Sequence, residues 1–271
     1  MSLREGQPQT ATHTAEQRFL YGVDIGSGTY LLRVEQQGFD LKLAIERTGA
    51  PTETYDSPTF RDNDELAVLS APGHYRVEIY SDESTNARGG HTITLTNVSN
   101  LPAAELEALR LVSVASIANF TGGGDGWATA ADSYARAAEL WHDLGRTRDE
   151  ADALFASATV EYWQRFTWQK SADQAASAAV LYNQLGEAAL AANSIHLQGA
   201  AVIEQALEVR QNESGAAVAA ESEALFAEAL RLLEQARATH ERLGRVYDLG
   251  LVLNNFGYTY FNKGDLARAR P

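Results

Sequence analysis

Phe19-Leu20-Tyr21-Gly22-Val23-Asp24-Ile25-Gly26-Ser27-Gly28-Thr29-Tyr30-Leu31-Leu32-Arg33-Val34 decides the first half of the chain. Phe19, Tyr21 and Val23 fall on one face, with Arg18 and Leu20 on the other. Beyond the Gly-Ser-Gly turn, Tyr30, Leu32 and Val34 alternate with Arg33 and Glu35. A period of two is the pattern of a strand buried on one side. The same alternation recurs at Leu41, Leu43 and Ile45, in Leu66–Leu69, at Tyr75, Val77 and Ile79 after the Pro72-Gly73 turn, and at Ile93 and Leu95 after Gly89-Gly90. Short strands at regular spacing, punctuated by Gly and Pro, give an antiparallel β-sandwich of jelly-roll-like type.

The rest of the chain has a different composition. Seven alanines fall in residues 1–100 and 38 in 101–271, and no proline occurs between 102 and 271. Such a run favours helices throughout. The fold class is therefore two-domain, β then α. The expected domains are a polar, disordered tail at 1–15, the sandwich at 16–99 and helical repeats at 100–271. The chain has no cysteine, which removes disulfides, thiolate metal sites and a cysteine nucleophile. Net charge is −14 over 271 residues, and both halves are acidic, so a nucleic-acid backbone finds no complementary surface. No apolar run is long enough to span a bilayer.

Self-similarity appears in the helical half at Leu144-Gly145, Leu185-Gly186 and Leu243-Gly244, each placed to end a helix with a glycine cap. Before each glycine, at matching offsets, stand Ala130, Tyr134 and Ala137; Ser171, Ala175 and Ala178; and Ala229, Leu233 and Ala236. Thirteen residues after each stands Ala158, Gly199 or Gly257. Small residues at this spacing let helices approach closely. The uneven glycine spacing requires two long helices, at about 187–211 and 215–243, joined by Asn212-Glu213-Ser214-Gly215. With Leu253-Asn254-Asn255-Phe256-Gly257-Tyr258-Thr259-Tyr260, then Gly264 and Ala269, the pattern resembles the tetratricopeptide repeat.

Motifs that would carry chemistry are incomplete. Tyr21–Thr29 resembles the first phosphate-binding hairpin of the actin and sugar-kinase superfamily, but the second phosphate loop and the adenosine motif are missing, and a hairpin turn accounts for it. Arg61-Asp62-Asn63-Asp64-Glu65 could offer oxygens to Ca²⁺ but lacks the spacing of a dedicated loop. Gly122–Gly126 has no Lys-Ser/Thr to complete a P-loop and reads as a flexible connector. The six histidines are scattered without ligand spacing, and no Gly-x-Ser-x-Gly elbow exists. No catalytic residues, metal ligands or cofactor are assigned, and the chain is read as a non-enzyme.

Val34–Leu41, Asp56-Ser57-Pro58 and Ala71–Glu78 together resemble the bacterial pre-peptidase C-terminal type of sandwich. Followed by irregular repeats such as Trp141–Gly145 and Leu181–Gly186, they resemble the N-terminal region of bacterial CHAT-domain proteins, in which a caspase-like peptidase follows the repeats. The resemblance implies a non-catalytic targeting and interaction region, a protein or peptide partner, and a periplasmic or extracellular address, with a cytoplasmic one as the alternative. It places the binding face on the inner side of each first helix: Phe155, Thr159 and Tyr162; Asn193, His196, Ala200 and Ile203; Asn254, Tyr258 and Phe261. The other functional expectation is a carbohydrate- or calcium-binding anchoring module. The last residues, 267–271, begin a further repeat helix, whose open apolar face is expected to fray or to support a homodimer.

Overall fold

The computed structural model describes residues 1–14, 17–38, 40–59, 63–82, 88–212 and 215–269. Arg61 and Asp62 of the acidic loop, Glu213 and Ser214 of the inter-helix linker, Phe39, and Arg270 and Pro271 lie outside the described residues. The chain divides into two compact units, Met1–Arg146 and Thr147–Pro271. Among the described residues, no helix is long and apolar enough to cross a membrane.

The first unit holds two four-stranded antiparallel sheets. One runs β1 (Gln9–Thr14), β8 (Arg88–Asn97), β3 (Tyr30–Gln37), β6 (Glu65–Leu69); the other runs β2 (Phe19–Ile25), β7 (Gly73–Tyr80), β4 (Lys42–Arg47), β5 (Glu53–Tyr55). Their inner faces share one core. Tyr21, Val23, Leu43, Ile45, Val77 and Ile79 come from one sheet, and Leu32, Val34, Ala67, Leu69, Ile93 and Leu95 from the other. The period-two reading of these strands is what the structure shows. A polar tie crosses this core. The Tyr21 hydroxyl lies 2.8 Å from His91 Nε2, both groups are buried, and Phe19 and Tyr21 meet the imidazole edge-on.

Residues 9–14 correct the expectation of a disordered tail at 1–15. Gln-Thr-Ala-Thr-His-Thr has no apolar face, yet it pairs along its whole length with β8 and completes the sheet. What admits it is Gly90. A Cβ there would stand 2.8 Å from the Ala11 carbonyl oxygen, a backbone atom that cannot swing aside. Gly90→Ala should therefore release β1 at a cost of about 1–3 kcal/mol, the range for overpacking. Amide exchange at residues 9–14 checks this; protection equal to wild type would mean that β8 yields instead.

The division of the chain also differs from the boundary near Asn100. α1 (Ala103–Thr121) packs on β5 and β6 and then against α2 (Gly123–Asp143), so both helices belong to the first unit. Composition marks them as helical but not what they cover. Three polar side chains fasten α1. Ser113 Oγ accepts the Val68 amide at 3.1 Å, Ser116 Oγ donates to Glu65 at 3.3 Å, and Asn119 Nδ2 donates to the Asp56 carbonyl at 2.9 Å. Glu65 is fully buried and also accepts the Ser57 amide at 2.9 and 3.0 Å. Gly122–Gly126 is not a slack connector. Gly122 and Gly123 both turn the chain through positive φ, 71° and 75°, and Gly123 already opens α2.

The second unit contains α3 (Thr147–Val160), a π-helical turn (Glu161–Arg165), α4 (Trp168–Gln184), α5 (Ala188–Asn212), α6 (Ala216–Leu243) and α7 (Val246–Asn262). The two long helices, α5 and α6, fall within a residue or two of the bounds read from glycine spacing. The anchoring glycines make one recurrent corner. Gly145, Gly186, Gly244 and Gly264 all sit at positive φ near 70°. In each, the following amide reaches back to the carbonyl five residues earlier: Arg146 to Trp141, Glu187 to Tyr182, Arg245 to His240 and Asp265 to Tyr260, at 2.9 Å. This is the left-handed glycine cap that satisfies end-of-helix carbonyls. All nine residues at the repeated offsets before these glycines are buried. At Gly199 an added Cβ would come within 3.3 Å of Leu232 and Leu233, so α5 and α6 cross with little room.

Candidate functional site

α5 lies between α4 and α6 and also touches α3 and α7, so α3, α5 and α7 adjoin in one layer. The residues expected on that layer separate into interior and surface. Thr159 is buried and donates its hydroxyl to the Phe155 carbonyl at 2.8 Å, and Ile203 and Ala200 are buried as well. Phe155 is half-buried and meets Tyr182 edge-on, centroids 6.5 Å apart, as inter-helix packing. His196 is largely enclosed and lies 2.8 Å from Asn255 Nδ2. Asn193 is half-buried, and Asn254 is exposed. Tyr258 and Phe261 on α7 are 42% and 62% exposed, large for aromatic side chains. The interior positions are adjacent to the surface ones on each helix. Burial thus divides the expected face into interior positions and exposed ones.

Tyr162 is the junction of an aromatic group. It meets Trp163 and Trp168 edge-on at 4.8 and 5.4 Å, and Phe166 packs on Trp168 at 5.4 Å. Trp163 and Phe166 are more than half exposed. The π-helical turn presents them, and a buried ion cluster holds that turn. The Glu161 carboxylate is wholly enclosed and takes Arg165 at 3.1 Å, Lys170 at 2.5 Å and the Thr167 hydroxyl. Phe166 then reverses the chain in the left-handed region at φ 56°. A β-carbon is strained there, and the Thr167 amide bond to the Glu161 carbonyl at 3.0 Å closes the corner. A single inserted residue in a helix leaves no periodic trace, so the turn was not foreseen.

On α5 the face carries Glu204, which the sequence reading passed over. Glu204 and Tyr258 lie within each other's electrostatic reach. Burial raises the Glu204 carboxyl above its usual range. Burial also raises the Tyr162 hydroxyl, and the negative charge of Glu204 adds to that shift, so Tyr162 lies within its field. Glu204 is the one charged residue in the stretch Gly199–Ala206.

No family model matches the chain. No curated protein matches it either. Solved structures similar to part of it include the following two. The pre-peptidase C-terminal domain of collagenase from Bacillus anthracis matches the N-terminal β region at 16% identity, covering 35% of this chain and 95% of that one, with a TM-score of 0.27. A periplasmic lysozyme inhibitor of g-type lysozyme, PliG from Aeromonas hydrophila, is 14% identical over 35% of this chain and 92% of its own, with a TM-score of 0.28.

Proposed function

We propose that the chain is a non-catalytic interaction protein, exported from the cell, whose helical unit docks a protein or peptide partner on the layer formed by α3, the π-helical turn, α5 and α7. The observation that carries this reading is the exposure of Tyr258 and Phe261 beside the half-buried Tyr162 and Glu204. Aromatic side chains that remain open on a rigid scaffold are the usual anchors of an interface. The recurrent glycine corners and buried small positions support a tetratricopeptide-like array, which would recruit or restrain a peptidase outside this chain. The sandwich would then act as the accompanying targeting module.

Peptide-array panning with the whole chain tests the face. A selected peptide should bind about tenfold or more weaker to Tyr258→Ala or Phe261→Ala, the loss expected for truncating an aromatic anchor. Undiminished binding to both variants would remove the face from consideration.

A further inference from the structure

The corner between α3 and α4 carries more aromatic surface than helix packing uses. Its four rings form a chain, Trp163 to Tyr162 to Trp168 to Phe166, in steps of 4.8, 5.4 and 5.4 Å. Successive rings are inclined at 87°, 63° and 60°. Trp163 is 56% exposed and Phe166 63%. Two unfavourable features hold them there. Phe166 is the one non-glycine residue at positive φ among the described residues, and the Glu161 carboxylate is wholly enclosed beneath the turn. Strained backbone and π-helical turns persist chiefly where a functional site requires them.

We propose that this aromatic corner docks a proline-rich, uncharged segment of the partner in the polyproline II conformation. This rests on the reading of the helical unit as a docking module and names the class of segment that it takes. Charge is the first argument. Residues 161–173 hold two acids, Glu161 and Asp173, against two bases, Arg165 and Lys170, so this stretch is neutral within a chain of net charge −14. A charged occupant gains nothing from it. Hydrogen bonding is the second. The indole N–H groups of Trp163 and Trp168 donate and cannot accept, as is true of Arg165 and Lys170. The acid of the turn faces inward to Arg165, Lys170 and the Thr167 hydroxyl, and Gln169 Nε2 donates to Asp173 at 2.9 Å. A run of prolines offers carbonyls and no N–H, so it matches donors and needs no acceptor in return. Shape is the third. Closely spaced rings at steep angles leave notches between them, which pyrrolidine rings fill, and a preformed polyproline helix loses little freedom on binding.

The probe is acetylated, amidated octaproline, with a Gly-Ser octapeptide as the flexible control and chitohexaose as a neutral sugar. Binding to the full chain is followed by calorimetry and by the NMR shifts of the Trp163 and Trp168 indole N–H groups. Octaproline should bind and shift both signals, and the control should not. Trp163→Ala should weaken octaproline by about tenfold or more, the loss expected for truncating an aromatic anchor. Phe166→Gly should weaken it comparably without lowering the thermal midpoint, because glycine removes the ring and also relieves the left-handed strain. Equal binding of octaproline and the control, binding of chitohexaose in place of octaproline, or undiminished octaproline binding to both variants overturns the proposal. The face that carries Tyr258 and Phe261 has its own readout. An array-selected peptide that loses affinity with Phe261→Ala, while octaproline fails to bind wild type, preserves that face and rejects the proline-binding corner.

Discussion

Phe226→Ala should destabilise the helical unit by about 3–5 kcal/mol, the range for emptying a fully buried phenylalanine site. The ring has no exposed surface and lies in the cluster formed by Ile203, Ala206, Ala229, Leu233 and Val252, so it joins α5, α6 and α7 at once. Its faces are also occupied. Arg210 Cζ is 4.6 Å from the ring centroid and Lys263 Nζ is 5.4 Å away. Both cations also pair with Glu223, so losing the ring leaves their charges matched but strips the surface against which they lie. Collapse into the cavity is resisted by α5 and α6, whose close crossing at Gly199 already leaves them little freedom to shift. Urea unfolding followed at Trp163 and Trp168 measures the loss, and Phe226→Leu should lose less than half as much. A loss below about 1 kcal/mol for the alanine variant would mean that the ring does not bridge these helices.

The second large effect is acid sensitivity of the same unit. Burial, then the neighbouring His240, pushes His196 from its ordinary value of 6.5 down to about 4, against a smaller opposing pull from Asp248. The folded state thus refuses a proton that the unfolded chain accepts below pH 6.5. Stability must fall as pH drops through that window, by about 2 kcal/mol at pH 5 relative to pH 7. Asp152 and Glu204, whose carboxyls burial raises, act in the opposite sense as they begin to protonate. The measurement is therefore the difference between wild type and His196→Gln, which should be far less sensitive to pH over the same range. Parallel curves would sink the assignment. The sandwich unit should move the other way. Burial raises Glu65 well above its usual range, so folding there takes up a proton, and stability is lost as pH rises through the folded value.

The strands were legible because one face of each is apolar and the other is not; Val23, Leu43 and Val77 declare their side without help from the rest of the chain. β1 was not, because threonines and a glutamine joined by backbone pairing carry no such alternation, and the permissive Gly90 lies in another strand. The small residues that repeat along α4 and α6 revealed helix contacts, since only close crossings require them. They could not reveal that α1 serves the sandwich, where Ser113, Ser116 and Asn119 act through partners 45 to 63 residues away. Tyr258 and Phe261, which the repeat resemblance places on the inner face, are exposed aromatic side chains. His196 with Asn255 is a pair that exists only in three dimensions.

The recurrent glycine corner separates two properties that most helical proteins hold together. The hydrogen-bonded turn is the same after the 21 residues of α2, the 17 of α4 and the 28 of α6. Arm length can change while the hinge stays constant. α6 is longer than α4 by eleven residues, 28 against 17, yet both end in this turn.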